Sequence, residues 1–170
     1  MITTERLRIR RIRTDDIRAV KRLWLDASAS PYAQYDRPYD TSDRAVTDCV
    51  KRWAAVDGWD DMFLAVCLDS LLIGYIVLYR HGDAREIGYC FHSDYHGHGY
   101  ARESLAALFA YLKEHGITRL TAGTALDNTP SVKLLYALGF ALKERGQVSF
   151  YQDENGDDLF FDAGEFELLL

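Results

Sequence analysis

The chain has 170 residues, 48% apolar and 27% charged, which fits one domain over residues 1–170 with a substantial core. Its formal net charge of −6 argues against non-specific nucleic-acid binding and anionic membranes as partners, and favours a cationic substrate. Met1 to Arg8 holds no apolar run resembling a signal peptide, no segment approaches the length of a membrane span, and the widely spaced Cys49, Cys67 and Cys90 read as free thiols in a reducing cytoplasm.

In chain order, residues 5–12 alternate around Leu7 and Ile9, predicting an amphipathic strand. Thr14 offers an N-cap to a helix carrying Ile17, Val20, Trp24 and Ala27 on one face. Ser28 to Thr41 follows neither period and is long for a compact domain, which favours a functional role or disorder. It carries Tyr32, Tyr35, Tyr39, Asp36 and Asp40, and tyrosine faces with carboxylates suit an amine-bearing cation. Packing of the tyrosines is the alternative. A second helix opens at Thr41 or Ser42, with Val46, Cys49, Val50 and Trp53 on one side. Met62–Leu68 and Leu71–Tyr79 read as a hairpin turning at Asp69-Ser70, and Arg85–His92 as the next strand.

That strand runs into His96-Gly97-His98-Gly99-Tyr100-Ala101, a glycine-studded turn opening a long helix striped by Leu105, Leu108, Phe109 and Leu112. Such a turn aims backbone N–H groups at one point, and the helix start adds its own free N–H groups and positive dipole end. The natural occupant is a phosphate or diphosphate, so a phosphate-bearing cofactor is the first expectation. Gly116 closes this helix; Leu120–Leu126 reads as a strand and Asn128–Leu138 as a short helix. Two final strands turn at Asn155-Gly156, with Phe160 and Phe161 expected in the core and an apolar tail from Phe166 to Leu170. The order predicts a mixed α/β fold, antiparallel in front with helix crossovers behind.

Three segments resemble the GNAT superfamily of N-acetyltransferases, and in it the RimJ/RimL branch of ribosomal-protein-alanine and amine acetyltransferases. They are Thr4-Glu5-Arg6-Leu7-Arg8-Ile9-Arg10; Glu86-Ile87-Gly88-Tyr89 followed by Tyr95 to Glu103; and Asn128-Thr129-Pro130-Ser131 followed by Leu138-Gly139-Phe140. The family loop is Gln/Arg-x-x-Gly-x-Gly/Ala, matched by Gly99 and Ala101, with His96 at the Gln/Arg position. The resemblance implies a mostly antiparallel twisted sheet of about seven strands with splayed middle strands and four helices. It also implies acetyl-CoA as cosubstrate. Amides of Gly97, His98, Gly99, Tyr100 and Ala101 would hold its diphosphate beside His96, and Tyr89, Cys90, Phe91 and His92 would pair with the pantetheine arm. The Ser28–Thr41 loop would lie beside the acceptor, making Tyr32, Tyr35 and Asp36 the substrate-binding candidates.

Acetyl transfer needs a neutral amine, a donor to the developing oxyanion and a stabilised leaving thiolate. Glu86 is the candidate base, because the family often places a carboxylate on this strand; the alternative is a strand charge paired with Arg85 or Arg80. Glu103 reads better as a helix-start charge. Many relatives carry a tyrosine four residues before the Gly-Phe glycine. Leu135 stands there, and Tyr136 points about 100° away. Ser131 matches a serine that the branch places near the thiol, although it also suits an ordinary helix start. Asn128 could cap its helix, bind pantetheine, or do both. The N–H near Phe91 or His92 is the expected oxyanion donor.

Two other readings compete. His92, His96, His98 and Asp94 invite a zinc site, but the cofactor turn explains the same positions and no metal is expected. The missing tyrosine keeps a non-catalytic acyl-CoA-binding module open. The expected partner is an amine acceptor, a small molecule or a protein N-terminus, and the apolar tail with Phe160-Phe161 suits a homodimer.

Overall fold

The computed structural model describes residues 1–170. Its strands are β1 (Ile2–Thr3), β2 (Leu7–Arg11), β3 (Met62–Leu68), β4 (Leu71–His81), β5 (Ala84–Phe91), β6 (Arg119–Ala125), β7 (Ala141–Gln152) and β8 (Asp158–Leu169). They form one sheet in the order β1-β2-β3-β4-β5-β6-β8-β7. All neighbours are antiparallel except β5 and β6. The helices are α1 (Ile17–Ser28), α2 (Asp43–Ala55), α3 (Tyr100–Glu114) and α4 (Thr129–Ala137). The eighth strand, beyond the expected seven, is β1, whose two residues are too short to show a period.

Alternation along the strands feeds two cores, one on each face of the sheet. Val20, Leu23, Val46 and Val50 of α1 and α2 bury against Phe63, Ala65, Tyr75 and Val77 on one face. On the other face, Leu105, Leu108 and Leu112 of α3 and Leu135 of α4 bury against Leu64, Ile76, Ile87, Leu120 and Phe166.

Helix starts follow their capping chemistry. The Ser42 hydroxyl accepts the Ala45 N–H at 3.3 Å, and the Asn128 amide oxygen accepts the Ser131 N–H at 3.4 Å. Thr14 does not cap α1 as expected. A 3₁₀ turn over Thr14–Asp16 intervenes, and the Asp16 carboxylate accepts the Arg13 N–H at 2.7 Å. Asp16 is buried and held by both Arg10 guanidinium nitrogens at 2.7 and 2.8 Å. Burial opposes its ionisation, but the bonds from Arg10 and Arg13 outweigh it and lower its pKa.

Two expectations at the C-terminal end change. Phe160 is 61% exposed, and Phe161 packs at the rim against Tyr35 and Phe150, at 5.4 and 5.6 Å between ring centroids. The reason is topological. β6 covers β8 only from Ala163 to Leu169, so the outer part of the β7–β8 hairpin has no neighbouring strand on β8.

Candidate active site

Beyond β5 the chain makes a short 3₁₀ turn, Ser93–Tyr95, and reaches α3 through His96 to Gly99. Gly97 and Gly99 have φ of +77° and +80°, a left-handed conformation that costs a side-chain-bearing residue about 1–2 kcal/mol. No backbone N–H from Gly97 through Arg102 donates to an acceptor within the protein; the helix ladder begins with Glu103 N–H to the Gly99 carbonyl at 2.9 Å. Six consecutive donors are therefore left free at the positive end of a 15-residue helix, a setting that suits an anion.

The turn opens into a cleft of about 1460 Å³. The cleft enters the sheet where β5 and β6 part: they pair only at Arg85–Leu120 and Glu86–Thr121, although both strands continue. The His92 N–H bonds the Ile73 carbonyl of the β4 side at 3.0 Å, so by antiparallel alternation Tyr89 and Phe91 turn their backbone groups toward the gap. Of the two expected oxyanion donors, His92 is thus engaged and Phe91 remains. His96 lines the cleft, and its Nε2 donates to the Phe91 carbonyl at 2.8 Å.

Across the gap from β5, the first turn of α4 brings Asn128 and Ser131 to the cleft wall. The Tyr89 and Ser131 hydroxyl oxygens lie 2.8 Å apart. Burial raises the Tyr89 pKa, while its bond to Ser131 pulls the other way. Leu135 is buried in the core, and Tyr136 is exposed against Phe166, away from the cleft.

Glu86 lines the same cleft with no hydrogen-bond or ion-pair partner of its own; Arg80 and Arg85 turn instead to Asp60, at 2.7 and 3.8 Å. Ile87 and Tyr89 pack on the α3 face while Cys90 packs on the α1–α2 face, so strand alternation puts Glu86 on the face opposite Tyr89 and Ser131.

The segment after α1 closes that second face. Tyr32, Tyr35 and Asp36 all line the cleft. Tyr35 also packs on Phe161, and the Tyr151 hydroxyl donates to the Ala33 carbonyl at 3.2 Å. Tyr39 stacks on Trp24 at 5.2 Å, and burial pushes its phenol up to about 12. Asp36 has no partner, and the protein around the cleft mouth raises its pKa. Cys90, lining the cleft, is pushed up to about 12 by burial and by the nearby negative Asp26 and Asp36, so its thiol stays neutral. Asp26 accepts from the Ser93 N–H and hydroxyl at 2.8 and 2.6 Å; these bonds outweigh burial and lower its pKa.

His92 and His98 do not reach the cleft wall. His92 Nδ1 lies 3.9 Å from Asp26 and 3.5 Å from Asp94, and His98 stacks on Tyr100. No three His, Cys, Asp or Glu side chains converge on one point. Sequence reasoning missed Arg6 as a neighbour of the turn: its guanidinium donates to the His98 carbonyl at 3.1 Å and to Glu103 at 2.7 Å. The only signal was its presence in the Thr4–Arg10 segment.

The donor set suits a coenzyme A thioester: free amides for a diphosphate, an unpaired strand edge for an amide-bearing arm, and hydroxyls beyond it. The family model for the acetyltransferase (GNAT) domain matches residues 6–141. The uncharacterized N-acetyltransferase YnaD of Bacillus subtilis (strain 168) is 28% identical over 141 residues, 81% of each chain. A GNAT-family acetyltransferase structure from Bacillus anthracis superposes with a TM-score of 0.80 at 25% identity, covering 99% of this chain and 97% of that one. RimL, a ribosomal L7/L12 α-N-protein acetyltransferase solved with coenzyme A, superposes with a TM-score of 0.83 at 21% identity, covering 98% and 96%; it shares the fold. The chain therefore belongs to the GNAT acetyltransferase family, and its activity at family level is acetyl-CoA-dependent acetylation of an amine.

Proposed function

We propose that the protein moves an acetyl group directly to a primary amine in a ternary complex, the acceptor being a protein N-terminal α-amine or a small-molecule amine. One observation carries the reading: six consecutive free amides, five of them on residues lining the cleft, stand at a cleft that passes through an unpaired strand gap to a second face bearing carboxylates without partners. An α-amine, with a pKa near ~8, is partly neutral at pH 7 and asks less of a base than a lysine near ~10.4. RimL is an α-N-protein acetyltransferase, which supports the same acceptor class here.

When bound, acetyl-CoA supplies the thioester carbon that the amine attacks. The amides of Gly97 to Arg102 hold the diphosphate, with His96 alongside. Backbone groups of Tyr89 and Phe91 take the pantetheine arm, beside Cys90 and Asn128. The Phe91 N–H serves the thioester oxygen. Glu86 receives the amine proton, directly or through water. Ser131, held by Tyr89, donates toward the sulfur, and this hydroxyl stands in for the tyrosine absent at position 135. Tyr32, Tyr35 and Asp36 hold the acceptor on the α1–α2 side.

We place this single-domain enzyme in the cytoplasm, with no nucleic-acid or membrane partner; three free thiols and the net charge support that. No helix is long and apolar enough to cross a membrane. Exposed Leu159 and Phe160 on the outer hairpin support a homodimer.

The test is a thermal-shift series followed by an acceptor screen read as free thiol release. Acetyl-CoA and CoA should raise the melting temperature and NAD should not. Ligand binding without thiol release across α-amine peptides and small amines would replace the enzyme reading with an acyl-CoA-binding module.

A further inference from the structure

The Thr4–Arg6 bend between β1 and β2 lies 92 or more positions before the α3-turn residues it touches, and it grips the back of the diphosphate turn. Arg6 Nη1 donates to the His98 carbonyl at 3.1 Å. Its Nε and Nη2 meet the Glu103 carboxylate at 2.7 and 2.6 Å, and the Arg6 backbone N–H meets the same carboxylate at 3.2 Å. Its guanidinium carbon sits 4.6 Å from the centre of the Tyr100 ring. The Thr4 hydroxyl donates to Glu103, and these bonds lower the Glu103 pKa although burial opposes the shift.

Peptide geometry turns this grip into a constraint on the ligand side. In a trans peptide the C=O of one residue and the N–H of the next point in opposite directions. Fixing the His98 carbonyl onto Arg6 therefore aims the Gly99 N–H away from Arg6, into the cleft. His98 applies the same logic one step earlier: its Nδ1–H donates to the His96 carbonyl at 2.8 Å and so turns the Gly97 N–H outward. Glycines alone would let these peptides rotate, because both sit where chain freedom is greatest. The turn has its left-handed freedom from Gly97 and Gly99 and its single orientation from Arg6.

We infer that Arg6 is a positioning residue for the cosubstrate's diphosphate, acting through the His98–Gly99 peptide and Glu103 rather than by touching the ligand. The inference rests on the assignment of the Gly97–Arg102 amides to that diphosphate. It gives the N-terminal segment a task in donor binding, on the side of the turn away from the cleft.

The experiment is calorimetric titration of the full chain with CoA and, at millimolar concentration, with pantetheine, which carries the same arm without the diphosphate. Arg6→Met should weaken CoA binding about tenfold, as expected when a supporting contact to a binding group is removed, and leave pantetheine binding within about twofold. Arg6→Lys keeps the charge but lacks the fork, and should behave like Arg6→Met. Glu103→Gln should weaken CoA binding in the same ligand-selective way. Unchanged CoA affinity with a lower melting temperature would make the contact a fold staple and overturn the inference. Equal weakening for both ligands, or full recovery with lysine, would overturn it too. Wild-type protein that binds CoA no better than pantetheine would instead remove the diphosphate assignment itself.

Discussion

The hydroxyl oxygens of Tyr89 and Ser131 lie 2.8 Å apart, tying the middle of β5 to the first turn of α4 on the cleft wall. Tyr89 is largely buried, so its O–H has few partners besides Ser131, and a donation from Tyr89 to Ser131 leaves the serine proton free to face the cleft. Ser131→Ala should lower kcat about tenfold, a modest loss because a thiol of pKa ~8.5 leaves readily. Tyr89→Phe should cost less, and the double variant should be no slower than Ser131→Ala, since one residue acts through the other. Initial rates at saturating substrates measure all three.

Glu86→Gln should lower kcat about a hundredfold at neutral pH with little change in the acetyl-CoA KM. The deficit should shrink as pH rises toward ~9, where an α-amine is already neutral and needs no base. A constant deficit across that range would assign Glu86 to binding instead.

Tyr35→Ala and Asp36→Ala should each raise the acceptor KM about fivefold and leave CoA affinity alone, because loss of an aromatic or anionic contact to a cation is a binding effect. Tyr35→Ala should also lower the melting temperature, since its ring packs on Phe161.

Gly99→Ala should weaken CoA binding by distorting the turn and cost about 1–2 kcal/mol of stability through its left-handed φ. The thermal shift produced by saturating CoA should shrink in that variant.

Stability should depend on acid through Asp16. Its folded pKa is lowered by Arg10 and the Arg13 amide in spite of burial. The stabilisation is therefore fully present above the unfolded aspartate value near ~3.9 and is lost as pH falls through the lower folded value. Asp16→Asn should flatten the acid limb of a denaturation series and lower stability at pH 7.

Much of this was legible in the sequence. A left-handed turn needs glycine, so Gly97 and Gly99 announced the turn that opens α3, and Leu105, Leu108, Phe109 and Leu112 announced the buried stripe of α3 that follows. What stayed hidden depended on distance along the chain or on topology. Arg6 and Glu103 are 97 positions apart, and no local period reports such a pair. Phe160 reads as a core residue until β6 is seen to stop short of it. Thr14 does not cap α1 because the Asp16 carboxylate, shared with the half-buried Arg10 guanidinium, ties back the Arg13 N–H and sets a 3₁₀ turn ahead of the helix. The opposed placement of Glu86 and Ser131 also needed the strand register, which fixes the face each side chain takes.

The two apolar layers meet across a single sheet, and under the proposed function each substrate would be handled from a different side of it. In the proposed assignment the residues that would choose the amine sit in the segment between α1 and α2, whereas those that would hold the cosubstrate belong to β5, the turn before α3, the start of α4 and the bend between β1 and β2. Substitutions that retune which amine is accepted can therefore accumulate on one layer while the other keeps its packing. A library of variants confined to positions 29–42 is the economical place to search for new acceptors.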